Sequence, residues 1–312
     1  MKKNLFMFCV SALFVFALSS CNSKKAEQSS ATEKDSVEVE SFSYTPAEPV
    51  NGKKKAIVEL GASGFNQFII EVDQDKNWKV LKKEFGSSLV AEGMTDAATI
   101  KAKLQDYIQS ILNFGVEGKN IHFVVSSGAK KEKLTDDIIA SLKEIGYVVN
   151  TVSPEQEAKC AFRNALPKGY EDKAFVVDLG SGNTKVSYMK DGQIQTMETF
   201  GAKYFEKDTD DKTAYEDVKK QLSAIPTANC ETLFLIGGVP FKMAKSQKKG
   251  DERFTILSTT ISDYDALVKE EGDKMRCGMN IYKAILDATD VKQVVFDWDA
   301  NFAIGVLLDM PY

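Results

Sequence analysis

The sequence predicts a mixed-sheet α/β protein built from two related halves. Apolar runs of strand length alternate with stretches of helical spacing. Each half opens with a strand, a glycine-rich turn and a return strand. In each half a carboxylate ends the first strand, Glu59 in one and Asp178 in the other.

In the first half, 55–60 reads as a short apolar strand, Gly61-Ala62-Ser63-Gly64 as the turn and 67–72 as the return strand. Residues 78–85 suit a third strand. Helical spacing runs over 97–114, with Ile100, Leu104, Ile108 and Leu112 on one stripe. A buried strand at 121–126, an amphipathic helix at 134–145 and a strand at 147–152 follow. Ser153 then reads as an N-cap with Pro154 at the first helical position.

The second half repeats the opening. An apolar strand at 174–179 leads to the turn Gly180-Ser181-Gly182-Asn183, a return strand at 184–189, a turn at Asp191-Gly192 and a strand at 193–198. A helix is expected over 214–222 and a strand over 233–236, ending at Gly237-Gly238. A helix over 278–288, a strand over 293–296 and a short helix over 302–308 close the chain.

The first fifty residues carry a different message. Lys2 and Lys3 precede an uncharged apolar run, 5–18, that is too short for a bilayer, which needs about 20 apolar residues. A basic start, a short apolar stretch and small residues before a cut site make a secretory signal. Leu18-Ser19-Ser20-Cys21 resembles the lipobox of bacterial lipoproteins, which implies cleavage before Cys21 and lipidation on it. The expected location is the cell envelope, outside the cytoplasm, with the chain held to a membrane by lipid. Residues 21–51, rich in Ser, Lys and Glu, lack apolar periodicity and read as a lipidated N-terminus and tether. The expected parts are thus 1–20 signal peptide, 21–51 tether, 52–168 first lobe and 169–312 second lobe.

Composition narrows the chemistry. Hydrophobic residues make 43% and charged residues 27%, with a formal charge of -5, as in an ordinary globular protein. No strongly basic stretch is interleaved with aromatics, so nucleic acid is not an expected partner. His122 is the single histidine and sits in an apolar run, which disfavours His-based metal sites and Ser/His/Asp triads. Beyond Cys21 the folded part holds Cys160, Cys230 and Cys277, an odd and widely spaced set that suits small buried residues.

The two turns suggest phosphate. Small residues let backbone N–H groups converge on an anion. Ser63, Ser181 and Thr184 add hydroxyls. Glu59 and Asp178 could hold hydrated Mg²⁺, a hard cation that takes oxygen ligands.

Several stretches, in order, resemble the exopolyphosphatase/guanosine pentaphosphatase (Ppx/GppA) family of the actin/hexokinase/heat-shock chaperone superfamily. Residues 56–70 resemble its first phosphate loop. Val152-Ser153-Pro154-Glu155-Gln156-Glu157-Ala158 resembles Ile-Ser-Gly-x-Glu-Glu-Ala. Residues 178–186 resemble the second loop, Asp-Ile-Gly-Gly-Gly-Ser-Thr-Glu-Leu. Phe200-Gly201-Ala202-Lys203 and Ile236-Gly237-Gly238-Val239 resemble later glycine motifs, and 280–308 the closing helix-strand-helix. The resemblance implies two duplicated ribonuclease H-like (actin-like ATPase) lobes around a cleft. It implies a phosphate grip from Gly61, Ser63, Gly64, Gly180, Ser181, Gly182, Asn183, Thr184, Gly237 and Gly238, and a metal between Glu59 and Asp178.

This sequence also departs from the family. Glu59 replaces an aspartate, which moves its carboxylate by about 1.5 Å, one C–C bond. Pro154 replaces a glycine. The position that the resemblance assigns to the catalytic base is Lys131, with Glu132 next to it and Glu157 as the other acidic candidate. Lys130, Lys131 and Lys133 suit either a solvated loop or a phosphate clamp. Three readings follow: a Mg²⁺-dependent phosphoanhydride hydrolase acting on polyphosphate, a degenerate module binding polyphosphate or a nucleotide, and a structural envelope lipoprotein. A second copy of the chain is a further candidate partner.

Overall fold

The computed structural model describes residues 42–61, 64–86, 96–131 and 134–312. Residues 41–312 form one compact unit.

The first sheet is nucleated by two hairpins. Strand β1 (Lys53–Gly61) pairs antiparallel with β2 (Gly64–Val72), and β2 with β3 (Trp78–Phe85). Helix α1 (Ala97–Asn113) then returns the chain to β4 (Ile121–Val125), parallel to β1. Helix α2 (Leu134–Ile145) leads to β5 (Val149–Thr151), parallel to β4. The order is β3-β2-β1-β4-β5. Ile100, Leu104, Ile138 and Leu142 seal one face over Val58, Ile69 and Phe123.

After helix α3 (Pro154–Ala165) the pattern repeats. Strands β6 (Ala174–Leu179), β7 (Asn183–Lys190) and β8 (Gln193–Phe200) form the matching antiparallel set. Helix α4 (Asp211–Leu222) leads to β9 (Thr232–Ile236), parallel to β6. Next come α5 (Gly238–Gln247), β10 (Phe254–Leu257), α6 (Asp265–Glu271), α7 (Asp273–Thr289), β11 (Gln293–Asp297) and α8 (Phe302–Asp309). The order is β10-β11-β9-β6-β7-β8, the first sheet's plan plus an edge strand.

A shared core joins the two sheets. Ile57, Phe68 and Ile70 from the first meet Val176, Phe234 and Val295 from the second, with Phe162 of α3 and Ile304 of α8 between them. Helix α3 packs across β6, β7 and β8, and α8 against β1. Each lobe's closing helix therefore helps bury the other lobe's sheet.

The structure corrects some boundaries. Residues 42–50, expected inside the tether, are docked. Phe42 lies 5.0 Å from Phe254 and 5.6 Å from both Tyr170 and Phe234, ring to ring. Helix α7 starts five positions before the expected 278. Elements α5, β10 and α6 fall where no element was expected. Cys160, Cys230 and Cys277 are free and buried, and His122 is a half-buried residue of β4. The signal and Cys21 lie outside the described residues, among which no helix is long and apolar enough to cross a membrane.

Candidate functional site

Strands β1 and β6 end on the inner side of the fold, and each delivers a carboxylate there. Glu59 and Ile57 share a face of β1, because side chains alternate along a strand. Asp178 shares a face of β6 with Val176 by the same rule. The register then supplies each with a cross-strand neighbour. Asn66 stands opposite Glu59 and donates its amide to Oε2 at 3.1 Å. Lys185 stands opposite Asp178, with Nζ 3.7 Å from Oδ2.

Helix α3 completes the cluster. The Ser153–Gln156 capping box fixes its first turn, and Glu157 follows. The Glu157 side chain is fully buried. Its Oε1 accepts the backbone N–H of Ser127, beyond β4. Its Oε2 lies 2.6 Å from Lys185 Nζ, off the angles of an ideal hydrogen bond, so that contact is an ion pair. Two carboxylates thus flank one ammonium, with Glu59 acting on it from beyond ion-pair distance, and Glu157 bridges the two lobes.

Burial sets the electrostatics. It raises the Glu59 pKa to about 7, with Asp178 and Glu157 adding to the rise while Asn66 and Lys185 oppose it. Burial also raises Asp178, against the pull of Lys185. For Lys185 burial works against the charge, but Asp178, Glu157 and Glu59 outweigh it and lift its pKa.

The glycine turns frame this cluster. Gly237 has φ +115 and lies so close to the Leu179 carbonyl that a Cβ would overlap it. Gly201 packs equally tightly on Gly182 and Asn183. The Gly180 N–H is spent inside the turn, on the carbonyls of Asp178 and Asn183. The backbone N–H groups of Ser181 and Gly182 have no acceptor among the described residues. A Cβ on Gly182 would meet open space. The Asn183 amide is held by Glu198 at 2.7 Å, and Thr184 is fully buried on the β7 face opposite Lys185. Of the second turn's expected phosphate contacts, Ser181 and Gly182 are therefore free to serve, while the Asn183 amide is held by Glu198 and the Thr184 hydroxyl, though without a partner among the described residues, is buried on the other face of β7.

Near the third motif stands a cation. Lys274 Nζ would lie 3.8 Å from a Cβ on Gly238, the first residue of α5. Burial lowers the Lys274 pKa, and Lys203 and Lys242 lower it further. Lys242 pairs with Glu271 and Lys203 with Glu206.

The remaining expected residues lie as follows. Gly61 and Gly64 flank the first turn, with Gly61 beside Glu59. Ser63 and Glu132 are outside the described residues. The backbone of Lys131 ends a short 3₁₀ turn, Ala129–Lys131, and Lys130 is exposed. Sequence reasoning missed Lys185. It stands where the motif resembled by 178–186 has its glutamate, and that mismatch was the available signal.

A divalent metal does not fit this arrangement. A protonated amine has no lone pair to offer a cation, and this one sits among the carboxylates that would ligate it. Among the described residues no group of three or more His, Cys, Asp or Glu side chains is spaced to hold a metal ion.

The fold and these strand ends define a two-lobed α/β protein with the actin-like ATPase fold. Within that class, solved Ppx/GppA structures share its architecture. A Ppx/GppA family member from Aquifex aeolicus superposes with a TM-score of 0.64 at 19% identity, over 82% of this chain and 97% of that one. An exopolyphosphatase from Cytophaga hutchinsonii gives 0.61 at 14% identity, over 82% and 98%. A second structure of the Aquifex aeolicus enzyme gives 0.63 at 18%, over 83% and 100%. The sequence matches no family model and no curated protein. At these identities the likeness establishes the fold.

Proposed function

We propose that this chain is a lipid-anchored envelope protein that binds polyphosphate, or another phosphorylated ligand, in the cleft between its glycine turns, without hydrolysing it. The carrying observation is Lys274 beside Gly238, a partly buried ammonium crowded by Lys203 and Lys242, whose repulsion Glu271 and Glu206 offset only in part. An anion would relieve that repulsion. The Ser181 and Gly182 N–H groups supply neutral donors on the neighbouring turn. The exopolyphosphatase named among the structural neighbours supports a phosphoanhydride ligand.

The non-hydrolytic half of this reading rests on Glu157. Glu157, one of the two acidic candidates for the base, is bound on one oxygen by Ser127 and approached on the other by Lys185. A carboxylate so engaged is poorly placed to take a proton from water. Export and anchoring rest on the basic start, the short apolar run and Leu18-Ser19-Ser20-Cys21.

The test is equilibrium binding of polyphosphate to the soluble chain from Asn22, with phosphate release followed in parallel. Binding without release is expected. Sustained release would overturn the non-hydrolytic reading, and no binding would overturn the ligand. Loss of lipid labelling in Cys21→Ala would test the anchor.

A further inference from the structure

Lys185 is an unusual occupant for its position. Its side chain is 9% exposed, and it meets Glu157 at 0% and Asp178 at 14%. A buried charge is retained only where partners compensate it. Here the compensation is mutual: three carboxylates need positive charge, and one strand lysine supplies it from within the chain. The supply is also fixed. Lys185 is tied by its backbone between Asp178 on β6 and Glu198 on β8. It cannot dissociate, and no chelator can remove it.

We propose that Lys185 is a built-in cation that takes the place of an exchangeable divalent ion, so that the cleft rejects metal and takes its phosphorylated ligand without one. The ligand half of this statement rests on the phosphate-binding reading; the metal half does not. An entering divalent cation would meet an ammonium that it repels and that offers it no ligand atom. Two carboxylate oxygens are already occupied as well, Glu157 Oε1 by Ser127 and Glu59 Oε2 by Asn66. A rigid octahedral shell of oxygens has no room to form around such a group.

The experiment has two arms on the chain from Asn22, which keeps the whole compact unit. In the first, Mg²⁺ and Mn²⁺ are added alone at millimolar concentration, with Tm and calorimetric heat as readouts. The wild type is expected to show neither a Tm shift nor saturable heat. K185Q removes the charge and keeps the carboxylates; its Tm is expected to fall and then to rise with Mn²⁺. Saturable metal binding by the wild type would overturn the proposal, as would a folded K185Q indifferent to metal. If K185Q does not fold, the wild-type titration alone decides. The second arm measures polyphosphate binding in excess EDTA, and the expected affinity equals that without chelator. Binding that requires metal would overturn the proposal. Absence of binding under every condition would overturn the ligand reading, while the first arm still judges the metal.

Discussion

Lys185 and Glu157 form a buried ion pair across the two halves of the chain, with Nζ 2.6 Å from Oε2. One partner lies on the second lobe's return strand. The other lies in the first turn of the helix that closes the first half. The pair therefore reports on lobe docking as well as on the site.

Breaking the pair from the lysine side should cost more than removing both partners. K185M alone leaves the buried acids without their cation and should destabilise by about 3–5 kcal/mol; E157Q alone should cost less, because Asp178 still faces Lys185. The double variant E157Q/K185M should lose less than the sum, with a coupling of about 1–3 kcal/mol in denaturant titrations. Additive losses would mean that the two side chains do not interact.

Glu59 should make stability pH-dependent in a defined direction. Its pKa rises from 4.5 to about 7 on folding, mainly by burial. The folded state then holds more protons than the unfolded state between those values. Stability from this group is fully present below the lower value and is lost as pH rises towards the upper one. The total is about 3 kcal/mol at about 1.4 kcal/mol per unit. A proton on Glu59 and the ammonium of Lys185 together supply two positive charges to the cluster. E59Q should flatten the decline in Tm between pH 5 and pH 7, a window set by the raised pKa. A wild-type slope that survives in E59Q would assign the titration elsewhere.

Phe42 should behave as a core residue. Its ring meets Phe234, Tyr170 and Phe254. F42A should cost about 2 kcal/mol, less than a fully buried Phe because the ring is half exposed. Limited proteolysis should then cut between residues 42 and 51 at rates the wild type does not show.

Gly237 should tolerate no side chain. Its φ of +115 disfavours any L-residue, and a Cβ would overlap Leu179. G237A should cost about 3 kcal/mol or more, through strain and the displaced turn. A near-neutral change in Tm would contradict the close approach of β6 and the start of α5.

Much of the fold was legible because local signals agreed with tertiary need. Helix α2 and strand β6 occupy the spans their patterns predict, since one has a clean apolar stripe and the other a continuous apolar run. Helix α5 was hidden by its opening, Gly237-Gly238-Val239-Pro240, which reads as a turn. Helix α6 buries no residue and so has no stripe. Strand β10 is only four residues long. At the site, Glu59 and Asp178 were legible as acids ending their strands. Lys185 was not, because a lysine in an alternating strand reads as solvent-facing. Its burial comes from α3, which crosses from the first half to cover β7, and no local pattern encodes that crossing.

Lys274 gives the ligand reading its sharpest test. Its pKa is lowered by burial and then by Lys203 and Lys242. A bound phosphate would favour its charged form and draw the pKa back up. Binding should therefore take up protons at alkaline pH, and affinity should fall as pH rises through the lowered pKa. Calorimetry in two buffers of different ionisation enthalpy would count those protons. K274A should remove the uptake and weaken binding by about tenfold to a hundredfold, as a charge-assisted contact worth about 1.5–3 kcal/mol requires. The salt dependence of affinity should also become shallower, since one cation is gone. Weaker binding with unchanged proton uptake would mean that another group faces the anion, and Lys203 and Lys242 would be the next to replace.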